Sequence, residues 1–230
     1  MKVNAIIVAA GKGERMRSEL PKPFLSVAGR PILVHPLRRV ERVAAISRIV
    51  VVVAPERDAL CRELVCSHGP FQRPIVVVHG GAERQDSVRN GLAGLEIDCD
   101  IVVIHDAARP FIRVETIEQS IAAAAESSGA IVAIPAGDTI KRVNAQNIIC
   151  ETVPRHDLWL AQTPQTFWVA AIREAHAWAQ QQGVPATDDA ALVEQMGHRV
   201  RIVSGEAGNF KITTPADLAV AEVLLQSKPG

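Results

Sequence analysis

Short apolar runs and helical patterns alternate along this chain. Val3–Ala10, Arg48–Ala54, Pro74–His79, Asp100–His105 and Ala130–Pro135 are the runs richest in Val, Ile and Ala. Within the second, Ile49-Val50-Val51-Val52-Val53 shows no polar alternation, which predicts a strand covered on both faces. Between these runs lie Pro31–Val43, Pro55–Ser67, Arg84–Leu95 and Val114–Ser127, whose apolar spacing predicts helices, with Pro31 and Pro55 suited to a first helical turn. Further on, the pattern predicts a helix over Phe167–Gln182, a short helix over Asp188–Met196, a strand over Val200–Ser204 and a closing helix over Pro215–Leu225. Regular alternation of this kind implies a Rossmann-like α/β fold: a mainly parallel sheet, right-handed crossovers and helices on both faces. No internal repeat, linker or low-complexity tract interrupts it, so residues 1–230 read as a single domain.

The segment 137–154 breaks the rhythm. Ile140–Val143 and Ile148–Val153 read as two short strands around an Asn/Gln-rich turn. Such a hairpin has little to pack on within the sheet, so it is expected to protrude as a β-arm, a candidate for dimerisation.

Composition narrows the function classes. The chain is 48% hydrophobic, which supports a compact core and argues against disorder. Aromatics are 3% with no Tyr, so stacking platforms for single-stranded nucleic acid are not expected. The formal net charge of +0 gives no overall field to gather nucleic acid or anionic membrane. No apolar run reaches the length of a membrane span, and the residues before Val3 lack the pattern of a cleavable leader. None of Cys61, Cys66, Cys99 and Cys150 forms a C-x-x-C pair. Free thiols in a reducing, cytoplasmic compartment are therefore expected.

In a sheet of this type ligands sit beyond the carboxyl ends of the strands, and the polar motifs fall there. After the first strand comes Ala9-Ala10-Gly11-Lys12-Gly13-Glu14-Arg15-Met16, then Pro21-Lys22-Pro23. Two glycines allow close backbone approach, and Lys12, Arg15, Arg17 and Lys22 crowd positive charge around it, as a polyphosphate site requires. The loop is neither a P-loop nor a dinucleotide fingerprint. The prolines on either side of Lys22 restrict its backbone. After the third strand, Gly80-Gly81-Ala82 with Ser87 suits the edge of a planar base, or equally a glycine turn that opens a helix through Asp86 and Ser87. After the fourth, Asp106 could hold Mg²⁺ or a ribose hydroxyl beside Arg109, or the two could form an ion pair that orders the turn. Thr139, Arg155, Thr163 and Thr187 are polar residues at segment ends, Thr187 resembling a helix N-cap. Lys211 is a cation in an otherwise apolar stretch before Thr214, the expected cap of the last helix. His35, His68, His156, His176 and His198 join no recognisable constellation.

Together, Ala9–Met16, Pro21–Leu25, His105-Asp106-Ala107-Ala108-Arg109-Pro110, Thr163-Pro164-Gln165, Thr187-Asp188-Asp189 and Lys211–Leu218 closely resemble the 2-C-methyl-D-erythritol 4-phosphate cytidylyltransferase family over nearly the whole chain. The resemblance implies the nucleotidyltransferase fold, a homodimer, Mg²⁺, and transfer of a cytidylyl group from CTP to the sugar-alcohol phosphate with release of pyrophosphate. It implies that Ala9, Ala10, Gly11, Gly13 and Ser87 bind CTP, that Gly80, Gly81 and Ala82 recognise cytosine through the backbone, and that Asp106 sits where ribose, metal and substrate meet. Arg15, Lys22 and Lys211 would surround the reacting phosphorus. Arg109, Thr163 and Thr187 would flank the substrate, while Thr139 and Arg155 would grip the sugar phosphate in the neighbouring subunit. The competing functions are a cytidylyltransferase for ribitol 5-phosphate or another sugar phosphate, and a regulator that binds CTP without turning it over.

Overall fold

The computed structural model describes residues 1–11, 16 and 20–226. Among these, seven strands form the main sheet: β1 (Val3–Val8), β4 (Ile46–Val53), β5 (Ile75–His79), β6 (Ile101–Asp106), β7 (Gly129–Pro135), β10 (Trp159–Trp168) and β11 (Val200–Ser204). Their order is β11-β7-β10-β6-β1-β4-β5. Every neighbouring pair is parallel except the two that involve β10, which runs antiparallel to both β6 and β7.

Period-two alternation sorts the strand side chains into two cores. Ala5, Ile7, Ile49, Val51, Val53, Ile101 and Val103 face one side. There they pack against α1 (Val34–Val40), α2 (Asp58–Ser67) and α4 (Val114–Ala125). Ile6, Val50, Val52, Val102 and Ile104 face the other, against α3 (Arg84–Ala93), α5 (Val169–Gln182) and α6 (Asp189–Gln195). The continuous Val/Ile run of β4 thus has no solvent face, as its composition predicts.

Three expectations are corrected. Pro31 is not in a first helical turn: Ser26–Val27 (β2) and Arg30–Pro31 (β3) form a small hairpin, and α1 begins at Val34. Its turn holds Ala28 and Gly29 at φ 49° and 74°, the left-handed pair that matches strand twist. The Ala28 N–H is held by Glu222 Oε2 at 2.7 Å, on α7 (Pro215–Gln226). Phe167 is not helical either; it lies in β10, a strand with no sequence counterpart in the predicted pattern. Gln162, Thr163, Gln165 and Thr166 make that strand read as polar, yet all four are buried. They can be buried because each is paired: Thr166 with Ser120 at 2.8 Å, Gln165 with Asp188 at 2.8 Å, Gln162 with the Glu206 carbonyl at 3.0 Å, and Thr163 with His105 at 2.9 Å. Finally, Asp188 rather than Thr187 caps α6, its Oδ1 accepting from the Ala191 N–H at 3.0 Å. The expected cap of α7 does form, with Thr214 Oγ1 accepting from the Asp217 N–H at 3.2 Å.

The arm matches its sequence pattern. β8 (Ile140–Val143) and β9 (Ile149–Val153) pair antiparallel as a separate two-stranded sheet. Asn144 Oδ1 organises the turn by accepting from the N–H groups of Gln146 and Ile148, both at 3.0 Å. Val143, Ile148 and Ile149 are exposed there. All four cysteines are free thiols. Among the described residues no helix is long and apolar enough to cross a membrane.

Phe167 is the largest side chain fully buried in the structure, and β10 sets it opposite Gly129 of β7, where a Cβ would lie 2.3 Å from the ring. Phe167→Ala is expected to lower the unfolding free energy by about 3–5 kcal/mol. A urea titration giving a loss below about 1 kcal/mol would show that this junction of antiparallel and parallel strands does not rest on the ring.

Candidate active site

β1 has β4 on one side and β6 on the other, so the chain order reverses at β1 and a crevice opens beyond its carboxyl end. A cavity of about 720 Å³ lies there. Ala9, Ala10 and Gly11 follow β1 into it, Gly81, Ala82 and Ser87 follow β5, and Asp106 ends β6. Lys22 reaches it from a single 3₁₀ turn over Lys22–Phe24, and Lys211 from the segment ahead of α7. Ala54, Pro55 and Glu56 after β4 also line it, a contribution that the sequence reading did not assign. Arg15 and Gly13 lie outside the described residues.

The backbone explains several residue types. Gly80 does not line the cavity but packs behind it, where an added Cβ would come within 2.5 Å of the Ala10 Cβ and 2.7 Å of Ser87 Oγ. Only glycine brings the β5 loop this close to the β1 loop. Ser87 is buried, and its Oγ accepts from the Gly81 N–H at 3.2 Å, so it shapes the loop that it belongs to. A reciprocal capping box between Glu83 and Asp86 opens α3 at this point. The structure shows the glycine turn that starts a helix, and Gly81, Ala82 and Ser87 edge the cavity.

Asp106 carries the electrostatics. Burial alone would raise its pKa, but Arg84 and Lys211 outweigh that and hold the carboxyl well below the usual range. Lys211 Nζ donates to Oδ2 at 2.7 Å, and Arg84 Nε lies 3.4 Å from Oδ1. The ion pair considered between Asp106 and Arg109 is not what forms. Arg109 instead donates from Nη1 to the Asn209 carbonyl at 2.7 Å, while its N–H closes the turn on the Asp106 carbonyl at 3.0 Å. Arg84 was not singled out in the sequence, although it directly follows the Gly80–Glu83 turn.

With both Asp106 oxygens facing cations, and no group of three or more His, Cys, Asp or Glu side chains converging among the described residues, these side chains do not fit a metal held by the protein. The reading of Asp106 as a metal ligand is accordingly not supported by its surroundings.

Thr163 turns inward. Its hydroxyl accepts from the Asp106 N–H at 3.1 Å and contacts His105 Nδ1 at 2.9 Å. His105 Nε2 faces the Arg109 carbonyl at 3.0 Å and must donate to it, so Nδ1 is the acceptor and Thr163 the donor. Burial keeps this ring neutral, with a pKa pushed down to about 4. Thr187, Thr139 and Arg155 are exposed, and none of the three lines the cavity. Arg155 Nη1 donates to the Gly137 carbonyl at the base of the arm, close in sequence to Thr139.

The sequence profile of 2-C-methyl-D-erythritol 4-phosphate cytidylyltransferases matches residues 3–227. The chain belongs to this family. It is 44% identical over 226 residues to the 2-C-methyl-D-erythritol 4-phosphate cytidylyltransferase of Caldanaerobacter subterraneus, covering 98% of this chain and all (100%) of that one. It is also 44% identical over 229 residues to the enzyme of that name from Pelotomaculum thermopropionicum, covering 100% and 96%. The crystal structure of 4-diphosphocytidyl-2C-methyl-D-erythritol synthase from Anaerococcus prevotii superposes with a TM-score of 0.88 at 30% identity, over 98% of this chain and 96% of that one. That of the Thermus thermophilus cytidylyltransferase superposes with a TM-score of 0.80 at 35% identity, over 98% and 100%. Family membership makes the chain a nucleotidyltransferase.

The buried neutral His105 makes stability depend on pH. An unfolded histidine titrates near 6.5 and this one near 4. Protons therefore bind the unfolded chain more tightly, and stability present above about pH 6.5 is lost as pH falls toward about 4, by roughly 3 kcal/mol. Unfolding free energies measured from pH 7 to pH 4 should show that loss, and His105→Gln should flatten it. Equal slopes in the two proteins would rule the assignment out.

Proposed function

We propose that the cavity beyond β1 binds CTP and transfers its cytidylyl group to the phosphate of 2-C-methyl-D-erythritol 4-phosphate, giving 4-diphosphocytidyl-2-C-methyl-D-erythritol and pyrophosphate in isoprenoid biosynthesis. One observation carries the reading: Lys22 and Lys211, 189 positions apart by their numbers, line the same cavity with the glycine-rich edges of the β1 and β5 loops. Two glycine-rich edges suit a nucleotide, and two ammonium groups suit a phosphate chain.

The chemistry follows from charge. A phosphate oxygen of the acceptor attacks the α-phosphorus of CTP; the new P–O bond forms as the bond to the β-phosphate breaks and pyrophosphate leaves. No protein nucleophile is needed. Both reactants are anions, so their approach is opposed until cations offset it. Lys22 and Lys211 are placed to do this and to stabilise charge on the equatorial oxygens. Arg15 has the same role in this reading. Asp106 holds the Lys211 ammonium in place through the 2.7 Å contact. Mg²⁺ belongs to the reading as a companion of CTP, whose phosphate oxygens are hard ligands of the kind it prefers. Thr163 and Arg109 brace the Asp106 turn, and Thr187 stands beside the N-terminus of α6.

The arm completes the reading. Exposed Val143, Ile148, Ile149 and Leu160 form apolar surface on and beside a hairpin with little of the main sheet beneath it. A second copy of the chain would cover that surface and bring Thr139 and Arg155 to a neighbouring cavity, where they grip the acceptor phosphate.

Pyrophosphate release with CTP, Mg²⁺ and either 2-C-methyl-D-erythritol 4-phosphate or ribitol 5-phosphate tests the acceptor. Turnover with the first only is the expected outcome; preference for the second would replace the acceptor, and binding of CTP without release would make the chain a regulator. Lys22→Ala should lower kcat by about 10²–10³-fold, the usual size for one preorganised charge stabiliser. Arg155→Ala should mainly raise KM for the sugar phosphate, because a grip remote from the α-phosphorus is lost. An effect confined to CTP would remove the arm from the acceptor site.

A further inference from the structure

Behind the cavity, the charge network continues into the core. Arg84 lies between two carboxylates. Its Nη1 donates to Asp189 Oδ2 at 2.7 Å, and its Nε stands at 3.4 Å from Asp106 Oδ1. The other oxygen of Asp189 meets His176 Nε2 at 3.2 Å. Asp189 and His176 side chains are each only 1% exposed, and neither lines the cavity. A chain of contacts therefore runs from His176 on α5 through Asp189 on α6 and Arg84 on α3 to Asp106 on β6, and ends at Lys211.

The geometry fixes how each link behaves. A carboxylate only accepts, so His176 Nε2 carries the proton and donates. Its Nδ1 is buried and has no hydrogen-bond partner among the described residues. A bare lone pair is tolerated there more easily than an unmet N–H, which agrees with the donor role of Nε2. Gln165 Oε1 accepts from the Asp189 N–H at 3.1 Å, which fixes the backbone from which the carboxylate projects. Asp189 thus has one oxygen committed to His176 and the other to Arg84. Its closer hold, at 2.7 Å, anchors the guanidinium whose Nε donates to Asp106 Oδ1 at 3.4 Å, and Asp106 Oδ2 is taken by Lys211 at 2.7 Å. Without Asp189, the guanidinium loses its closer anchor and is free to shift from Oδ1 onto the Oδ2 that Lys211 occupies.

We propose that Asp189 and His176 are positioning residues: by anchoring Arg84 on Asp106 Oδ1, they leave Oδ2 to fix the Lys211 ammonium at the reacting phosphate. This rests on the cytidylyl-transfer reading above. Neither residue touches substrate.

His176→Leu fills the space and removes the donor, while His176→Gln restores an N–H near the place of Nε2. In pyrophosphate-release assays with CTP and 2-C-methyl-D-erythritol 4-phosphate, His176→Leu and Asp189→Asn are expected to lower kcat by about 10-fold or more, with KM for CTP changed less than about threefold, and His176→Gln to recover kcat to within about threefold of the parent. A packing role would not favour Gln over Leu. Overturning results are a kcat for His176→Leu within twofold of the parent, or a His176→Gln no better than His176→Leu. If His176→Leu does not fold, the parent protein decides. The imidazole ¹⁵N resonances of His176 should report a protonated Nε2 and a bare Nδ1, and should move when CTP is added; no movement at saturating CTP overturns the proposal. An unmodified enzyme inactive with both acceptors would instead sink the functional reading, which keeps the two failures apart.

Discussion

A buried carboxylate is the constraint around which this molecule is arranged. Asp106 ends the central strand β6 with almost no access to water. An ionised carboxylate in such a place is costly unless cations and hydrogen bonds surround it. The structure supplies Arg84 from α3, Lys211 from the far end of the chain, and a backbone turn braced by Thr163 on β10. Meeting the needs of one side chain thereby ties together segments about 20, 60 and 100 residues away from it. The same arrangement leaves two ammonium groups beside a cavity at the sheet's switch point. The cluster that structural necessity builds is also the one on which the proposed phosphate binding rests.

The two faces of the sheet divide the labour. The face packed on α1, α2 and α4 is a dense aliphatic layer that fixes the strands and so the positions of the loops beyond their carboxyl ends. Its buried polar pair is Thr166 with Ser120 of α4, whereas the opposite face carries a longer polar set: Gln165 with Asp188, and Asp189 with His176 and Arg84. Of these only Arg84 lines the cavity; the others lie outside its lining. Because a buried polar pair is expensive when broken and directional when made, it holds side chains at defined distances in a way that an aliphatic layer alone does not.

Family membership and the site answer different parts of the functional question. Similarity over the whole chain gives the reaction class, and the cavity gives the electrostatics that such a reaction needs. The acceptor is the part on which the single chain is least complete, since Thr139 and Arg155 stand exposed at the arm and away from the cavity. The arm also carries exposed apolar side chains, Val143, Ile148 and Ile149, which is the surface on which the proposed pairing with a second copy rests.

Much of this was legible in the residue order because it depends on local rules. The Val/Ile runs of β1, β4, β5, β6 and β7 have one dominant pattern each, and the Ile140–Val153 hairpin follows from alternation around an Asn-rich turn. The glycine-rich loop, Lys22, Asp106 and Lys211 stand out because their residue types are unusual where they occur. What the sequence could not declare is what depends on partners distant along the chain. β10 reads as polar because its buried Gln and Thr residues are stabilised by groups brought from β6, α4, the cap of α6 and the segment after β11. Arg84, Asp189 and His176 each look like ordinary surface or helix residues until folding stacks them behind Asp106. Local pattern determines which segments are strands and helices, since backbone propensity and burial period act over a few residues; only the tertiary structure decides which buried polar groups meet, because a hydrogen bond is set by distance in space and not by separation along the chain.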